Sequence, residues 1–283
     1  MTAAEVFCDR PCELGEGPLW HPLRGQLFWF DILGRRLLTR TAEGPQAWSF
    51  PEHVSAAGWI DADHLLIATE TALRRFHIPS GEHEKVADLD AHDPDARSND
   101  GRADPAGGFW IGTMGKRAEP GRGAIRRFHR GEVELLFPGI TIPNAICFSP
   151  DGRLAYFADT PERRILRVEL DAEGWPSGRP EVFVDLSAEG LNPDGAVTDA
   201  EGALWNAQWG AGRVARYLPD GRFDRAIPVG GLHASCPAFG GEDLRTLFVT
   251  TAQEGLTAPD PRQGLTYHCT PGVAGRPEPQ VRT

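Results

Sequence analysis

Ser149-Pro150-Asp151-Gly152-Arg153-Leu154-Ala155-Tyr156 sets a Pro- and Gly-bearing turn directly before an apolar, strand-like run. Pro and Gly supply the backbone angles a tight turn needs, and the alternating run that follows suits a half-buried strand. The same arrangement returns at Gly25-QLFW, Asp63-HLLI, Gly107-GFWI, Gly202-ALWN and Arg245-TLFV. Anchored on Leu27, Leu65, Phe109, Leu154, Leu204 and Leu247, the copies lie 38, 44, 45, 50 and 43 residues apart. A period near 44 residues with about four strands per copy is that of a β-propeller blade. Six copies predict an all-β, six-bladed β-propeller that takes up residues 1–283 as a single domain. Residues 4–10 precede the first copy and are expected to form an extra strand that closes the ring against the last blade, because an unpaired edge is a liability.

Radial folding turns equal positions in the repeat into neighbours. Ten or eleven residues before each anchor stand Glu16, Val54, Asn99, Asn144, Asp194 and Cys236. Glu, Asn, Asn and Asp would then meet at one point near the axis, where the first strand of each blade begins. An all-oxygen set suits a hard divalent cation such as Ca²⁺, Mg²⁺ or Mn²⁺, with Zn²⁺ or Fe²⁺ as alternatives. Four side chains leave positions open for water and substrate, which separates a catalytic site from a closed structural one. Taken singly, Asn99, Asp194 and Glu16 also read as turn formers beside glycine; their shared repeat phase favours a site. The loops after Asp31, Thr69, Thr113, Asp159, Trp209 and Thr251 are expected to rim the same mouth. The longest of these, Thr113 to Ala124, is a candidate substrate or lid loop.

Composition narrows the function classes. The 283 residues carry a formal charge of −11, which gives no electrostatic footprint for a phosphate backbone and argues against nucleic acid. Thirty-three Gly and 24 Pro fit many short strands joined by tight turns. Five cysteines at irregular spacings, with no C-x-x-C, read as reduced thiols in a cytoplasmic protein. The N-terminus lacks the pattern of a signal peptide, and no apolar run reaches membrane length, so no membrane partner is expected.

Several segments are similar to the SMP-30/gluconolactonase/luciferin-regenerating-enzyme family, which includes regucalcin. They run from Leu14 to His21, Arg97 to Met114, Pro143 to Thr160, Asn192 to Val214 and Cys236 to Ala252. The resemblance implies a six-bladed propeller with one divalent metal ion in its channel (Ca, Zn, Mn, Mg or Fe). It implies metal ligands at Glu16, Asn144 and Asp194. It also implies that Asn99 lies beside the metal and Arg97 on substrate hydroxyls, and that the activity is hydrolysis of a sugar lactone to the aldonic acid. Two departures stand out. After the ligand Asn, where relatives often carry Gly, this chain has Ala145, from which a backbone without positive φ is expected. Three residues after Gly112-Thr113-Met114, where some members place an acidic substrate contact, stands Arg117, with Glu119 beyond it. Sugar specificity is therefore not carried over, and neither residue is given a role.

The chemistry such a site needs is attack of water on the lactone carbonyl, with stabilisation of the oxyanion that develops. Asp194 is the candidate catalytic carboxylate. An Asp that ligates a dication has a depressed pKa, so orienting the water is the alternative to taking its proton. Arg97 and Asn99 would bind substrate and fix its geometry. Of the histidines, His21, His64 and His77 fall at outer positions and read as surface or packing residues, whereas His233 precedes Cys236 and is placed to reach the mouth, where a proton-shuttle role is the alternative to a packing one. Cys236 lacks a basic partner and reads as a buried thiol. No G-x-S-x-G elbow is present. Most Trp residues recur at core positions, with one or two available to stack on a sugar ring. The competing readings are an aryl-ester or organophosphate hydrolase on the same site, and a calcium-binding or scaffold propeller without catalysis.

Overall fold

The computed structural model describes residues 3–283. Its regular structure is strand throughout, apart from one 3₁₀ turn at Thr160–Glu162. In chain order, β1 is Glu5–Cys8. A four-stranded antiparallel meander follows, made of β2 (Gly15–His21), β3 (Gln26–Asp31), β4 (Arg36–Thr41) and β5 (Gly44–Ser49). A second comprises β6 (Val54–Trp59), β7 (His64–Thr69), β8 (Ala72–His77) and β9 (His83–Asp88). The third is β10 (Ala96–Ala103), β11 (Phe109–Gly115), β12 (Gly123–His129) and β13 (Glu132–Ile140). The fourth is β14 (Pro143–Phe148), β15 (Leu154–Asp159), β16 (Arg164–Glu169) and β17 (Glu181–Asp185).

The remaining strands are β18 (Asn192–Thr198), β19 (Leu204–Trp209), β20 (Arg213–Tyr217), β21 (Phe223–Pro228), β22 (His233–Gly240), β23 (Thr246–Ala252) and β24 (Thr266–Cys269). With β1 they form one eight-stranded sheet, where the repeat predicts two separate blades. The cause is local: Trp209, ending β19, pairs with His233, starting β22, and this one pair joins two meanders into one ladder. The N-terminal strand behaves as expected. β1 pairs antiparallel with β24, so the first strand of the chain completes the last meander.

The architecture is propeller-like. β2, β6, β10, β14, β18 and β22 each pack on the next, and β22 packs on β2, so the first strands form a closed ring about one axis. Apolar side chains fill the spaces between successive sheets. Leu19, Phe28, Phe30, Leu65, Ile67 and Phe76 make one such layer, and Trp110, Ile146, Phe148 and Phe157 another. First and second strands are both almost wholly buried, and the second strands carry the largest fully buried rings, Trp29, Trp110 and Trp205. The loop expected from Thr113 to Ala124 is shorter than the sequence suggests, because β11 continues to Gly115 and β12 begins at Gly123.

Every first strand carries one extra residue at the same height. The register slips between Glu16 and Leu19, Val54 and Ala56, Ser98 and Gly101, Asn144 and Cys147, Pro193 and Ala196, and Ala234 and Cys236. A β-bulge bends the strand and re-aims the side chains beside it. Four of these bulges fall at or beside Glu16, Asn99, Asn144 and Asp194. The backbone after Glu16 and after Asn144 enters the left-handed region at both places, with φ of 52° at Gly17 and 57° at Ala145. The expectation that Ala145 avoids positive φ is thereby corrected: the bulge demands that conformation, and alanine adopts it at a cost of about 1–2 kcal/mol.

Candidate functional site

A cavity of about 590 Å³ opens at the end of the ring where the first strands begin. Glu16, Arg97, Asn99, Asn144 and Asp194 all line it, so the five residues singled out in the sequence come together. Its upper wall is drawn from the ends and exits of second strands, as expected: Met114 near the end of β11, Lys116, Arg117 and Ala118 after it, Thr160 after β15, Trp209 ending β19, and Glu254 and Gly255 after β23. The exits after Asp31 and Thr69 do not reach it. A larger groove, lined by Pro105, Gly152, Glu169 and Asp171 among others, shares no lining residue with this cavity and is built of turns.

The floor is a set of polar side chains whose orientations are fixed from both ends. Arg97 Nη1 donates to Asn99 Oδ1 at 2.8 Å and to the Ser98 carbonyl at 2.9 Å. A guanidinium only donates, so the Asn99 oxygen faces Arg97 and its amide nitrogen faces away. That nitrogen donates to Asn144 Oδ1 and to the Pro143 carbonyl, each at 3.0 Å. Asn144 Nδ2 in turn donates to Thr160 Oγ1 at 2.8 Å, and the Thr160 hydroxyl donates to the Pro193 carbonyl at 2.8 Å. The chain starts at an obligate donor and ends at an obligate acceptor. It leaves no freedom for either amide to flip, and Asn144 Oδ1 keeps a second lone pair.

Glu16 and Asp194 are buried beside one another. Burial, then the charge of Asp100, pushes the Glu16 carboxyl up to about 8. Burial, then Glu16 itself, raises Asp194 well above the ordinary carboxylate range. Two buried acids so placed disfavour a second negative charge unless a cation joins them. Asp194 Oδ1 is buried without any hydrogen-bond partner among the described residues. Such an atom costs free energy unless something absent from the polypeptide meets it. Among the described residues no three of His, Cys, Asp and Glu gather closely enough to hold a metal ion. An ion here would therefore rest on the two carboxylates plus carboxamide oxygen, and the all-oxygen donor set fits a hard cation.

The rim carries charge of both signs. Arg97 is fully enclosed, and burial lowers its pKa while Glu254, Glu16, Asp194 and Glu70 act to raise it. Lys116 Nζ pairs with Glu70 Oε2 at 2.8 Å, and Arg117, largely exposed, pairs with Glu119 Oε1 at 3.0 Å. Burial raises the Glu254 carboxyl, with Arg97 opposing. Trp209 stacks on His233 with ring centroids 4.2 Å apart. Lys116, Thr160 and Glu254 carried no signal of their own in the sequence. What placed them was their position just after second strands, the loops already expected at the mouth.

The other residues weighed as candidates fall elsewhere. His21 is fully buried, with Nε2 bonded to the Asp61 carbonyl at 2.9 Å, and His64 and His77 lie together in the second meander. Cys236 is buried near the axis, and burial raises its thiol well above the ordinary value, which disqualifies it as a nucleophile. All five cysteines are free and buried. No helix among the described residues is long and apolar enough to cross a membrane.

Comparison with known proteins gives a consistent result. The family model described as SMP-30/Gluconolactonase/LRE-like region matches residues 14–253. The chain is 42% identical to a putative sugar lactone lactonase of Rhizobium meliloti, over 99% of this chain and 97% of that protein. It is 36% identical to the L-arabinolactonase of Azospirillum brasilense, over 92% and 89%. The crystal structure of a calcium-binding protein, regucalcin, from Agrobacterium tumefaciens superposes with a TM-score of 0.96 at 41% identity, covering 100% of this chain and 98% of that one.

Proposed function

This chain belongs to the SMP-30/gluconolactonase/LRE-like family, and on that premise we propose that it is a divalent-metal-dependent hydrolase that opens a sugar lactone to the aldonic acid. One observation carries the reading: a pair of adjacent buried carboxyls, Glu16 and Asp194, lies at the floor of the cavity, with Asp194 Oδ1 unpartnered among the described residues. The names of the relatives, lactonases among them, support the substrate class. We count the eight-stranded sheet as two blades joined at Trp209 and His233, which makes the chain one six-bladed propeller domain.

In this reading Glu16, Asn144 and Asp194 hold the metal ion, and Asn99 stands next to it. Bound there, a dication supplies neutralisation of the acid pair and electrophilic polarisation of the lactone carbonyl. The remaining work falls to side chains. Arg97 and Asn99 hold sugar hydroxyls, and the hydrogen-bond relay through Asn144 and Thr160 keeps their donors and acceptors in one arrangement, where much of a rate enhancement originates. Asp194 orients the attacking water. As an anion beside a dication it is a weak base, so the proton of that water needs another acceptor. Trp209 offers a flat apolar face to the sugar ring at the mouth.

The test is a metal-swap panel. Protein stripped with chelator and reloaded with Ca²⁺, Mg²⁺, Mn²⁺, Zn²⁺ or Fe²⁺ is assayed by acid release on glucono-, xylono-, arabinono- and galactonolactone, with an aryl ester for comparison. One metal and one lactone should stand out. Equal, metal-independent rates on all substrates reject the site. The calcium-binding description of the Agrobacterium protein favours a second reading, a calcium-binding propeller without catalysis. Tight Ca²⁺ binding with no lactone opening above background would select it.

A further inference from the structure

His233 begins β22 at the rim of the cavity. Its Nδ1 lies 3.0 Å from the Glu254 carbonyl oxygen. A carbonyl only accepts, so Nδ1 carries the hydrogen and Nε2 of the neutral ring holds the lone pair. Among the described residues nothing bonds Nε2, and it is not a buried orphan: it keeps solvent access on a residue that lines the cavity. Three constraints keep the ring in this pose. The Trp209 indole stacks on it at an interplanar angle of 17°. The His233 backbone is paired with Trp209, the pair that fuses the two meanders. The Glu254 backbone that receives Nδ1–H is itself fixed by its N–H bond to the Glu13 carbonyl at 2.9 Å. A third group orienting a ring whose free nitrogen faces the site is the usual arrangement for a proton-transferring histidine.

We propose that His233 is the proton acceptor of this site, and the proposal rests on the lactone-hydrolase reading above. In the step, Nε2 takes a proton from the attacking water as the water oxygen bonds to the lactone carbonyl carbon and the carbonyl π pair moves to its oxygen. The tetrahedral adduct then re-forms the carbonyl and breaks the bond to the ring oxygen. The departing alkoxide takes the proton from Nε2–H, which returns the imidazole to its starting state. Water and lactone are consumed, hydroxy acid is formed, and no other reactant is needed. Glu16, Asp194 and Glu254 among the acids, and Arg97, Lys116 and Arg117 among the bases, are the charged groups that line the cavity with His233. Burial lowers the His233 pKa, with the Glu254 carbonyl opposing, so the ring is neutral and available near pH 7.

Four measurements test this. In ion-free protein at pH 7, long-range ¹H–¹⁵N correlation should show His233 protonated at Nδ1 and bare at Nε2; the opposite tautomer overturns the proposal. With the most active metal and lactone, His233→Gln and His233→Phe, the latter keeping the stack on Trp209, should lower kcat about 10²–10⁴-fold while melting normally. The wild-type kcat/KM profile should rise to a plateau through a pKa below 6.5, and that limb should vanish from the variants' residual activity. Free imidazole should restore part of the rate of His233→Ala. A variant within threefold of wild type that keeps the acid limb overturns the proposal and leaves the lactonase reading standing. A wild type that opens no lactone with any metal brings down both.

Discussion

The back of the channel is closed by the C-terminal segment, and one buried ion pair anchors it. Residues 274–282 cross the end of the ring away from the cavity. The Ala200 N–H donates to the Ala274 carbonyl, Gly275 N–H to Leu244, Val281 N–H to Trp59 and Arg282 N–H to Gly107, at 2.7–2.9 Å, so the strap touches turns of several sheets. At its centre Glu278 bonds Arg102, both side chains less than a tenth exposed. Arg102 also faces Asp100, whose carboxyl burial pushes up to about 6. Glu278→Gln keeps the shape and the bond from Trp59 Nε1 to the residue 278 carbonyl, and removes only the charge. Breaking a buried pair from one side costs about 3–5 kcal/mol, and the low end applies here because Asp100 remains as a partial partner. Arg102→Met leaves two buried acids without a cation and should cost the upper end. The double variant Arg102→Met/Glu278→Gln should cost less than the sum of the two singles, because each single already breaks the pair and the second substitution has no intact ion pair left to remove. Urea melts at pH 7 read this directly as midpoint shifts at constant m. A Glu278→Gln midpoint equivalent to less than about 0.5 kcal/mol, the level of an ordinary surface change, would refute the view that this pair holds the strap.

Four further outcomes follow from the same geometry. Asp194→Asn and Glu16→Gln should each lower metal affinity by isothermal titration and kcat at least about 100-fold while melting no lower than wild type in the ion-free state, since each removes one of two mutually repelling buried acids. Thr160→Val breaks the relay at its last link without touching the acid pair and should reduce kcat/KM about 10–100-fold, the range of outer-shell losses. Ala145→Gly should stay within about 1 kcal/mol of wild type, because relief of about 1–2 kcal/mol of left-handed strain is offset by glycine's chain entropy and a lost buried methyl; Ala145→Val, β-branched at positive φ, should be far more destabilising in the same melt. His21 is held neutral by burial, so its folded pKa lies below the unfolded value of 6.5. The unfolded chain therefore binds the proton first; the contribution to stability is complete above pH 6.5 and is lost as pH falls below it. His21→Gln, which retains a donor for the Asp61 carbonyl, should flatten the stability-against-pH curve between pH 6.5 and 5.

The sequence carried the periodic information well and the local backbone information poorly, for reasons that show at particular residues. Turn-then-strand copies put Glu16, Asn99, Asn144 and Asp194 at one repeat phase because a first strand must begin at the same height in every sheet, and the cavity brings all four together. The offset of ten or eleven residues was readable, but not its meaning. A bulge adds one residue to a ladder, and only the pairing of Asn144 with Ala158 and of Cys147 with Tyr156 reveals it. Ala145 was misread for the same reason: its left-handed φ is imposed by the bulge, and alanine's own preference argues against it. The fusion of two meanders at Trp209 and His233 depends on one inter-sheet pair that no periodicity encodes. That pair matters beyond topology. It brings an indole and an imidazole into register at the mouth, and the Glu254 carbonyl, from a loop with no motif of its own, fixes which nitrogen faces the cavity. The floor of the site thus follows from what repeats in this chain, and its upper wall from what does not. Differences in substrate among proteins sharing this floor should therefore trace to the second-strand exits at Lys116, Thr160, Trp209 and Glu254.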